Sequence, residues 1–67
     1  MNKRISHKGY TTILHFSEED QRYYGRIENI RDYVDYEGRT VEEAEQAFRD
    51  AVEDYIVYLH ESGLDLI

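Results

Sequence analysis

The chain has 67 residues, 15 acidic against 8 basic side chains for a net charge of −7, and no cysteine. The length allows one domain at most. A chain of this size buries only about 60% of its unfolded surface, so such domains are often stabilised by a partner subunit. The composition excludes disulfides and thiolate metal sites, and the negative charge argues against direct binding of nucleic acid. It favours a basic protein partner, although negative charge can also serve solubility alone.

The first nine residues carry no targeting signal. They are basic, with Lys3, Arg4 and Lys8, but they lack the apolar segment of a secretory signal, and no apolar run in the chain approaches the ~18 residues of a membrane span. We therefore expect a cytoplasmic protein without membrane contact. Because residues 1–9 show little periodicity, they are expected to form a mobile basic arm that ends at Gly9.

Residues 10–17 are rich in β-branched and aromatic side chains, which predicts a first strand. Alternation places Leu14 and Phe16 on the expected core face. Ile13 falls on the opposite face, either as scattered surface or as part of a contact surface. The charged residues 18–22 have the length of a hairpin loop.

Two further strands are predicted, at residues 23–28 and 33–37. Gly25 inside the first of them marks a bulge or the close approach of another group. In the connection between them, Ile30 is the only large apolar residue and is expected to plug one end of the core. Such short connections favour a three-stranded antiparallel meander.

One amphipathic helix is predicted from Val41 to Ser62, with an apolar stripe at steps of three and four and an acidic ridge opposite. Thr40 and Glu43 have the capping-box spacing, in which the Thr40 hydroxyl accepts from the amide of residue 43 and the Glu43 carboxylate reaches back to the amide of residue 40. Gly38 suits a chain reversal with positive φ. The stripe consists of Val41, Ala44, Ala47, Phe48, Ala51, Val52, Tyr55, Ile56 and Leu59.

Gly63 is placed as the C-terminal cap of this helix. The residues after it, Leu64–Ile67, predict either a fourth, edge strand or a terminal stub. The pattern is thus β-β-β-α-(β) in one domain over residues 10–67. A long helix on one face of an antiparallel sheet is a two-layer α+β sandwich.

No catalytic constellation is recognisable, and we expect no cofactor and no metal. The three histidines, His7, His15 and His60, fall on separate elements. Most carboxylates fall in turns or on the outer helix face, where they do not converge on one cleft. A two-metal nuclease centre is therefore the weakest of the functional readings.

Tyrosine is the more informative excess, with seven in 67 residues. A single sheet covered by one helix has one exposed face, and tyrosines on such a face are of the kind enriched at protein interfaces. We expect an interface there. The alternative is that the tyrosines divide between the core and ordinary surface.

Three segments occur in a distinctive order: the strand Tyr23–Ile27, the segment Tyr36–Ala44 with its G-x-T-x-x-E-A element, and the helix with Phe48, Ala51, Val52 and Tyr55. In this order and spacing, over about residues 10–66, the chain resembles the N-terminal domain of HicB-type antitoxins. The resemblance implies a partial ribonuclease-H-like fold without nuclease activity. It also implies binding to a small basic RNase toxin, HicA, whose charge suits an acidic chain.

The chain departs from that family at two places. Many members carry a Pro-x-Leu-Pro-Gly connection between the second and third strands, where this chain has Glu28–Asp32 without proline. Complete members add a C-terminal DNA-binding segment, which does not follow here. We therefore expect no operator binding, and either a single-domain relative or a fragment.

The leading hypothesis is a non-catalytic antitoxin-type module that occludes the RNA-binding face of a HicA-like toxin through an acidic, tyrosine-bearing surface. We also expect a homo-oligomer. The alternative function is a self-associating domain with no toxin partner, in which the open face packs on its own copy; the weakest is a degenerate metal-dependent nuclease. The predicted contact residues are Tyr23, Tyr24, Arg26, Glu28, Tyr36 and Glu37.

Overall fold

Four strands and one helix follow each other in the computed structural model, which describes residues 3–62. They are β1 (Lys3–His7), β2 (Tyr10–Ser17), β3 (Arg22–Arg26), β4 (Asp35–Gly38) and α1 (Val41–Ser62). The strands form one antiparallel sheet in the order β1-β2-β3-β4, and α1 packs on one face of it. The predicted two-layer α+β sandwich is confirmed, with one strand more than expected before the meander. The predicted cap at Gly63 and the predicted strand at Leu64–Ile67 lie outside the described residues.

The N-terminal segment is a strand, and the prediction of a mobile arm over residues 1–9 was wrong for Lys3–His7. This segment pairs with β2 along its whole length, from Lys3 opposite Leu14 to His7 opposite Tyr10. The connecting loop has two residues, Lys8 and Gly9, with φ of 52° and 84°. Positive φ at both central residues is the turn geometry that matches the twist of a two-residue hairpin.

Ion pairs attach this hairpin to the helix. Lys3 Nζ lies 2.9 Å from Glu45 Oε2, and Glu53 Oε2 receives Lys8 Nζ at 2.9 Å and His7 Nε2 at 2.8 Å. Lys3 of β1 and Lys8 of the turn thus pair with carboxylates of α1 that are more than 40 positions away in sequence. The ladder to β2 holds this polar segment in the sheet, and the partly exposed ion pairs add about 0–1 kcal/mol each.

We expect Glu53 to make the protein sensitive to acid. Hydrogen bonds from Lys8 and His7 hold the pKa of Glu53 below its ordinary value of 4.5. A carboxylate whose pKa is lowered by folding contributes stability that is present above 4.5 and is lost as the pH falls through its folded-state pKa. Urea unfolding should show that the free energy of unfolding decreases less between about pH 7 and about pH 3 for Glu53→Gln than for the parent chain. The exposed neighbour Asp54 supplies the control Asp54→Asn, and an unchanged acid loss in Glu53→Gln would contradict the expectation.

The core lies between the helix-facing side of the sheet and the apolar stripe of α1. Ile30 packs against this cluster, as predicted, while Phe16 is half-buried against Tyr23, with ring centroids 4.8 Å apart. The helix bounds are those predicted, because the stripe and the cap are both local signals. The buried apolar side chains are Leu14, Ile27, Tyr36, Ala44, Phe48, Val52 and Tyr55.

The three predicted meander strands are present with shifted ends. The second ends at Arg26, and Ile27 continues only as an isolated bridge to Thr12. The third begins at Asp35 rather than at residue 33. The connection between them remains tied to the sheet, since the Ile27 amide donates to the Val34 carbonyl at 3.0 Å.

Gly25 marks a close approach, as predicted, and the approaching group is the Tyr36 ring. The two residues are opposite each other in the β3–β4 ladder. A Cβ at Gly25 would lie 2.6 Å from Tyr36 Cζ and 2.9 Å from the Ile13 carbonyl oxygen. The Tyr36 hydroxyl lies 2.9 Å from Thr12 Oγ1, which donates to the Arg26 carbonyl at 2.7 Å. Because the single Thr12 proton is used there, the Tyr36 hydroxyl donates to Thr12, and this buried polar pair is satisfied.

The helix start confirms half of the predicted capping box. The Glu43 amide donates to Thr40 Oγ1 at 3.0 Å, while the Glu43 carboxylate accepts from the amide of Arg39, not of Thr40, at 3.0 Å. Gly38 does not have the positive φ that was expected. It is small for a different reason, since a Cβ there would lie 2.8 Å from the Cα of Ala44 in the first helical turn.

Removing the cap should weaken the fold measurably. Thr40→Ala leaves the Glu43 amide without its side-chain acceptor, and such caps contribute about 1 kcal/mol. Urea unfolding followed by circular dichroism should show this loss. Thr40→Ser keeps the hydroxyl and is the matched control, expected to lie within about 0.5 kcal/mol of the parent. Equal losses in both variants would mean that the hydroxyl does not cap the helix.

Candidate protein-binding face

No helix or strand among residues 3–62 packs on the sheet face opposite α1, which we call the open face. Together with the connection at residues 29–33, it forms a broad concavity of about 1180 Å³ that is open to solvent. The concavity covers the β2, β3 and β4 part of the open face, and each of the four strands contributes alternate residues to the open face as a whole. By register these are Arg4, Ser6, Thr11, Ile13, His15, Arg22, Tyr24, Arg26, Glu28, Asp35 and Glu37.

Arginine–carboxylate pairs make the open face nearly neutral. Three arginines each lie beside one carboxylate, at 2.7 Å for Arg4 and Glu28, 3.4 Å for Arg26 and Asp35, and 3.9 Å for Arg22 and Glu37. The two pairs that reach β4 are long and solvent-exposed, and pairs of this kind contribute only about 0–1 kcal/mol each. A partner can therefore exchange them at low cost.

The carboxylates of β4 are more exposed than the arginines beside them. The Glu37 side chain is 70% exposed against 36% for Arg22, and the Asp35 side chain is 63% exposed against 54% for Arg26. Tyr24, itself 45% exposed, is the cross-strand neighbour of Glu37. This side of the open face thus presents negative charge next to an aromatic ring.

Glu28 is the most firmly held acid of the open face. The Thr11 hydroxyl donates to its Oε1 at 2.9 Å and the Arg4 guanidinium at 2.7 Å, and the Glu28 amide donates to the Thr11 carbonyl at 2.8 Å. The Thr11 hydrogen bond, followed by that from Arg4, lowers the pKa of Glu28 below 4.5. Glu28 is therefore a fixed, ionised acceptor at neutral pH.

Two aromatic contacts order the middle of the open face. The His15 and Tyr24 rings lie 5.4 Å apart, centroid to centroid. The Arg26 guanidinium lies 3.7 Å above the ring centroid of Tyr33 and also donates to the Tyr33 hydroxyl. Tyr33 is 70% exposed and was missing from the predicted contact residues.

The structure separates the six predicted contact residues into two groups. Tyr36 is only 7% exposed, with its ring 5.4 Å from that of Phe48, so its prediction as a surface contact was wrong. Tyr23 also lies on the helix side, half-buried against Phe16. Side chains alternate along a strand, so Tyr23 and Tyr36 point to the helix side while the residues after them, Tyr24 and Glu37, point to the open face. The other four lie together on the open face: Tyr24, Arg26, Glu28 and Glu37.

A second exposed surface, the outer ridge of α1, lies on the other side of the molecule. It carries Val57 and Tyr58, which are 53% and 49% exposed, among acids of the helix. The predicted acidic, tyrosine-bearing surface therefore corresponds to two separate surfaces. The exposed acids of the outer ridge are Glu42, Glu43, Asp50, Asp54 and Glu61.

The described residues give no sign of metal coordination. Among residues 3–62, no group of three or more His, Asp or Glu side chains is placed to hold a metal ion. His7, His15 and His60 lie on β1, β2 and the end of α1, so they are on three separate elements as predicted. No helix in this part of the chain is long and apolar enough to cross a membrane.

Comparison with known proteins identifies no relative. No protein-family model, no curated protein and no solved structure matches the chain. The resemblance to HicB-type antitoxins therefore depends on the residues quoted above.

Proposed function

We propose that the chain is a non-catalytic binding module of the HicB antitoxin type, which neutralises a small basic HicA-like RNase toxin in the cytoplasm by covering its RNA-binding face. The observation that carries this proposal is the position of Tyr24 next to the exposed carboxylates of β4, on a sheet face that α1 leaves uncovered. The net charge of −7 attracts a cationic partner to the chain as a whole, while the open face itself is nearly neutral and offers the exposed carboxylates of β4.

The mechanism is exchange of ion pairs. Lysine and arginine side chains that the toxin uses for RNA phosphates replace Arg22 and Arg26 beside Glu37 and Asp35. Since the internal pairs are exposed, their loss costs little. Burial of Tyr24 supplies apolar contact at the centre, where tyrosine is a frequent hot-spot residue. RNA is excluded because its phosphates compete for the same cations.

Two tyrosines of similar exposure allow a matched test. Tyr24 on the open face is 45% exposed and Tyr58 on α1, stacked on Tyr55, is 49% exposed, so Tyr24→Ala and Tyr58→Ala remove the same group from two separate surfaces. The chain should co-purify with a co-expressed HicA-like toxin and relieve its growth arrest. Tyr24→Ala should weaken binding in calorimetry at least ~10-fold, about 1.4 kcal/mol or more, as expected for a hot spot. Tyr58→Ala should leave it unchanged.

The outcomes separate the two surfaces. Loss of binding in Tyr58→Ala with no effect in Tyr24→Ala would mean that the partner binds the outer ridge, which would refute the open-face mechanism. Failure of the parent chain to bind a panel of such toxins at micromolar concentrations would refute the antitoxin proposal itself.

A further inference from the structure

We propose that two copies of this chain associate through the outer edges of their β1 strands, which join two sheets into one. This inference is independent of the proposed toxin binding. It concerns the edge of the sheet rather than the open face. The partner is a second copy, related by a two-fold axis perpendicular to the sheet and centred on Ile5.

The first argument is the regularity of the edge. β1 is the end strand of the sheet, and no segment within residues 3–62 pairs with its outer side. It pairs with β2 without interruption over five residues and closes through a two-residue turn. Unpaired edges of this kind are templates for another strand, and natural proteins usually blunt them with bulges or uncompensated charge.

The ladder fixes which backbone groups face outward. The Thr11 carbonyl accepts from Glu28 on the β3 side, so the backbone of Thr11 does not face its β1 partner Ser6. In an antiparallel pair, hydrogen-bonded and non-hydrogen-bonded positions alternate. The amides and carbonyls of Arg4 and Ser6 therefore point away from β2, while those of Ile5 point towards it.

The cations of this edge are compensated within their own chain, so they do not blunt it. Arg4 and Lys8 have carboxylate partners at 2.7 and 2.9 Å, and Lys3 has one at 2.9 Å. The other edge of the sheet is different. In β4, self-pairing would set Asp35 opposite Glu37 of the second copy, or Glu37 opposite Glu37. These carboxylates are more exposed than the arginines beside them, so they would repel each other and disfavour pairing at this edge.

Charge also selects the register. Outward-facing residues must pair with outward-facing residues, which leaves axes centred on Arg4, Ile5 or Ser6. An axis on Arg4 sets Arg4 against Arg4, and an axis on Ser6 sets Arg4 against Lys8. Both place two cations directly opposite each other that are paired in their own chain but still 59% and 54% exposed, so these registers are less favourable. With the axis on Ile5, Arg4 faces Ser6, Ile5 faces Ile5, and Lys3 faces His7, where each of the last two lies beside its own carboxylate on α1. Ile5 is half-buried on the helix side, so its copy would cover the part that the core leaves exposed.

This arrangement gives a continuous antiparallel sheet of eight strands, four from each copy. Because the axis is perpendicular to the sheet, both helices lie on one side and both open faces on the other. The two open faces then adjoin each other across the axis.

The lack of cysteine in the chain permits a direct test of the register by single substitutions. In Ile5→Cys, the two Cα atoms would be about 4.5 Å apart, within disulfide range. In Arg4→Cys or Ser6→Cys, the two substituted residues of the dimer are diagonal neighbours about 7–8 Å apart, which is beyond that range. Mild oxidation should cross-link Ile5→Cys at least tenfold faster than either of these. A mixture of Arg4→Cys and Ser6→Cys should cross-link with each other.

A second pair of variants tests the edge backbone without cysteine. Ser6→Pro removes an amide that faces outward and is not used by β2, and proline is tolerated at such edge positions. Ser6→Ala keeps the amide. By sedimentation, the parent and Ser6→Ala should dimerise, whereas Ser6→Pro should remain monomeric at concentrations tenfold higher.

Several results would overturn the inference. A parent chain that stays monomeric at millimolar concentration would overturn it. This holds also if the chain is monomeric because its own residues outside 3–62 occupy the β1 edge. Fastest cross-linking of Arg4→Cys or Ser6→Cys would exclude the Ile5-centred register. If Ser6→Pro fails to fold, the cysteine series still decides the question.

Discussion

Phe48→Ala should leave a large part of the population unfolded at room temperature. Phe48 is 1% exposed at the middle of the α1 stripe, with its ring 5.4 Å from that of Tyr36. Truncating a buried phenylalanine costs about 3–5 kcal/mol through lost apolar burial and the cavity that remains. The single core of a domain this short rarely supplies more than about 3–5 kcal/mol, so one such change removes most of the stability.

The same helix supplies the control for this measurement. Val57 is 53% exposed on the outer ridge, so Val57→Ala should change the free energy of unfolding by no more than about 0.5 kcal/mol. Urea unfolding followed by circular dichroism compares the two variants, with Phe48→Leu expected between them. If Phe48→Ala cost no more than Val57→Ala, α1 would not pack on the sheet through Phe48.

The parts of the fold that depend on local signals could be predicted from the sequence. The helix from Val41 to Ser62 follows from its apolar steps and from Thr40, which caps it in the structure. Alternation likewise assigned Leu14 to the core. These signals lie within a few residues of the elements that they define, so no knowledge of the tertiary structure was needed.

β1 could not be predicted in the same way, because its support comes from far along the chain. Lys3–His7 is polar and holds one large apolar residue, Ile5. It is kept in the sheet by its ladder to β2 and the turn at Lys8 and Gly9, with smaller contributions from the exposed ion pairs to Glu45 and Glu53. Gly9 was the one local signal available, because glycine favours the positive φ of a turn, but Lys8 before it is not a residue typical of a two-residue hairpin.

The candidate site shows the same limit. Alternation already places Tyr23 and Tyr24 on opposite faces, but only the position of α1 decides which face is open. Tyr33 escaped prediction because its surroundings depend on Arg26, seven residues earlier in the chain, whose guanidinium lies over its ring. Composition gave the net negative charge, but it could not show that the open face is nearly balanced and that the outer ridge of α1 is not.

Gly25→Ala should destabilise the fold although it adds a single methyl group. The space above Gly25 is filled by the end of the Tyr36 ring, and a Cβ would also lie 2.9 Å from the Ile13 carbonyl oxygen. The ring cannot swing aside freely, because its hydroxyl is hydrogen-bonded to Thr12 at 2.9 Å and the ring itself packs at a tilt against Phe48. Overpacking of this kind typically costs about 1–3 kcal/mol, and we expect the upper part of that range.

A double-mutant cycle identifies the cause of that loss. If the Tyr36 ring is the obstacle, Tyr36→Leu should cost at least about 1 kcal/mol less in the Gly25→Ala background than in the parent chain, because contacting residues are coupled. Gly9→Ala is the control, since Gly9 has a φ of 84° and no heavy atom within 4 Å of its Cβ position. Its loss comes from backbone strain alone, so it should add to that of Tyr36→Leu without coupling. Strict additivity between Gly25→Ala and Tyr36→Leu would mean that the ring and the glycine do not share this space. The junction of β3 and β4, which places Tyr24 and Glu37 side by side on the open face, would then depend on another contact.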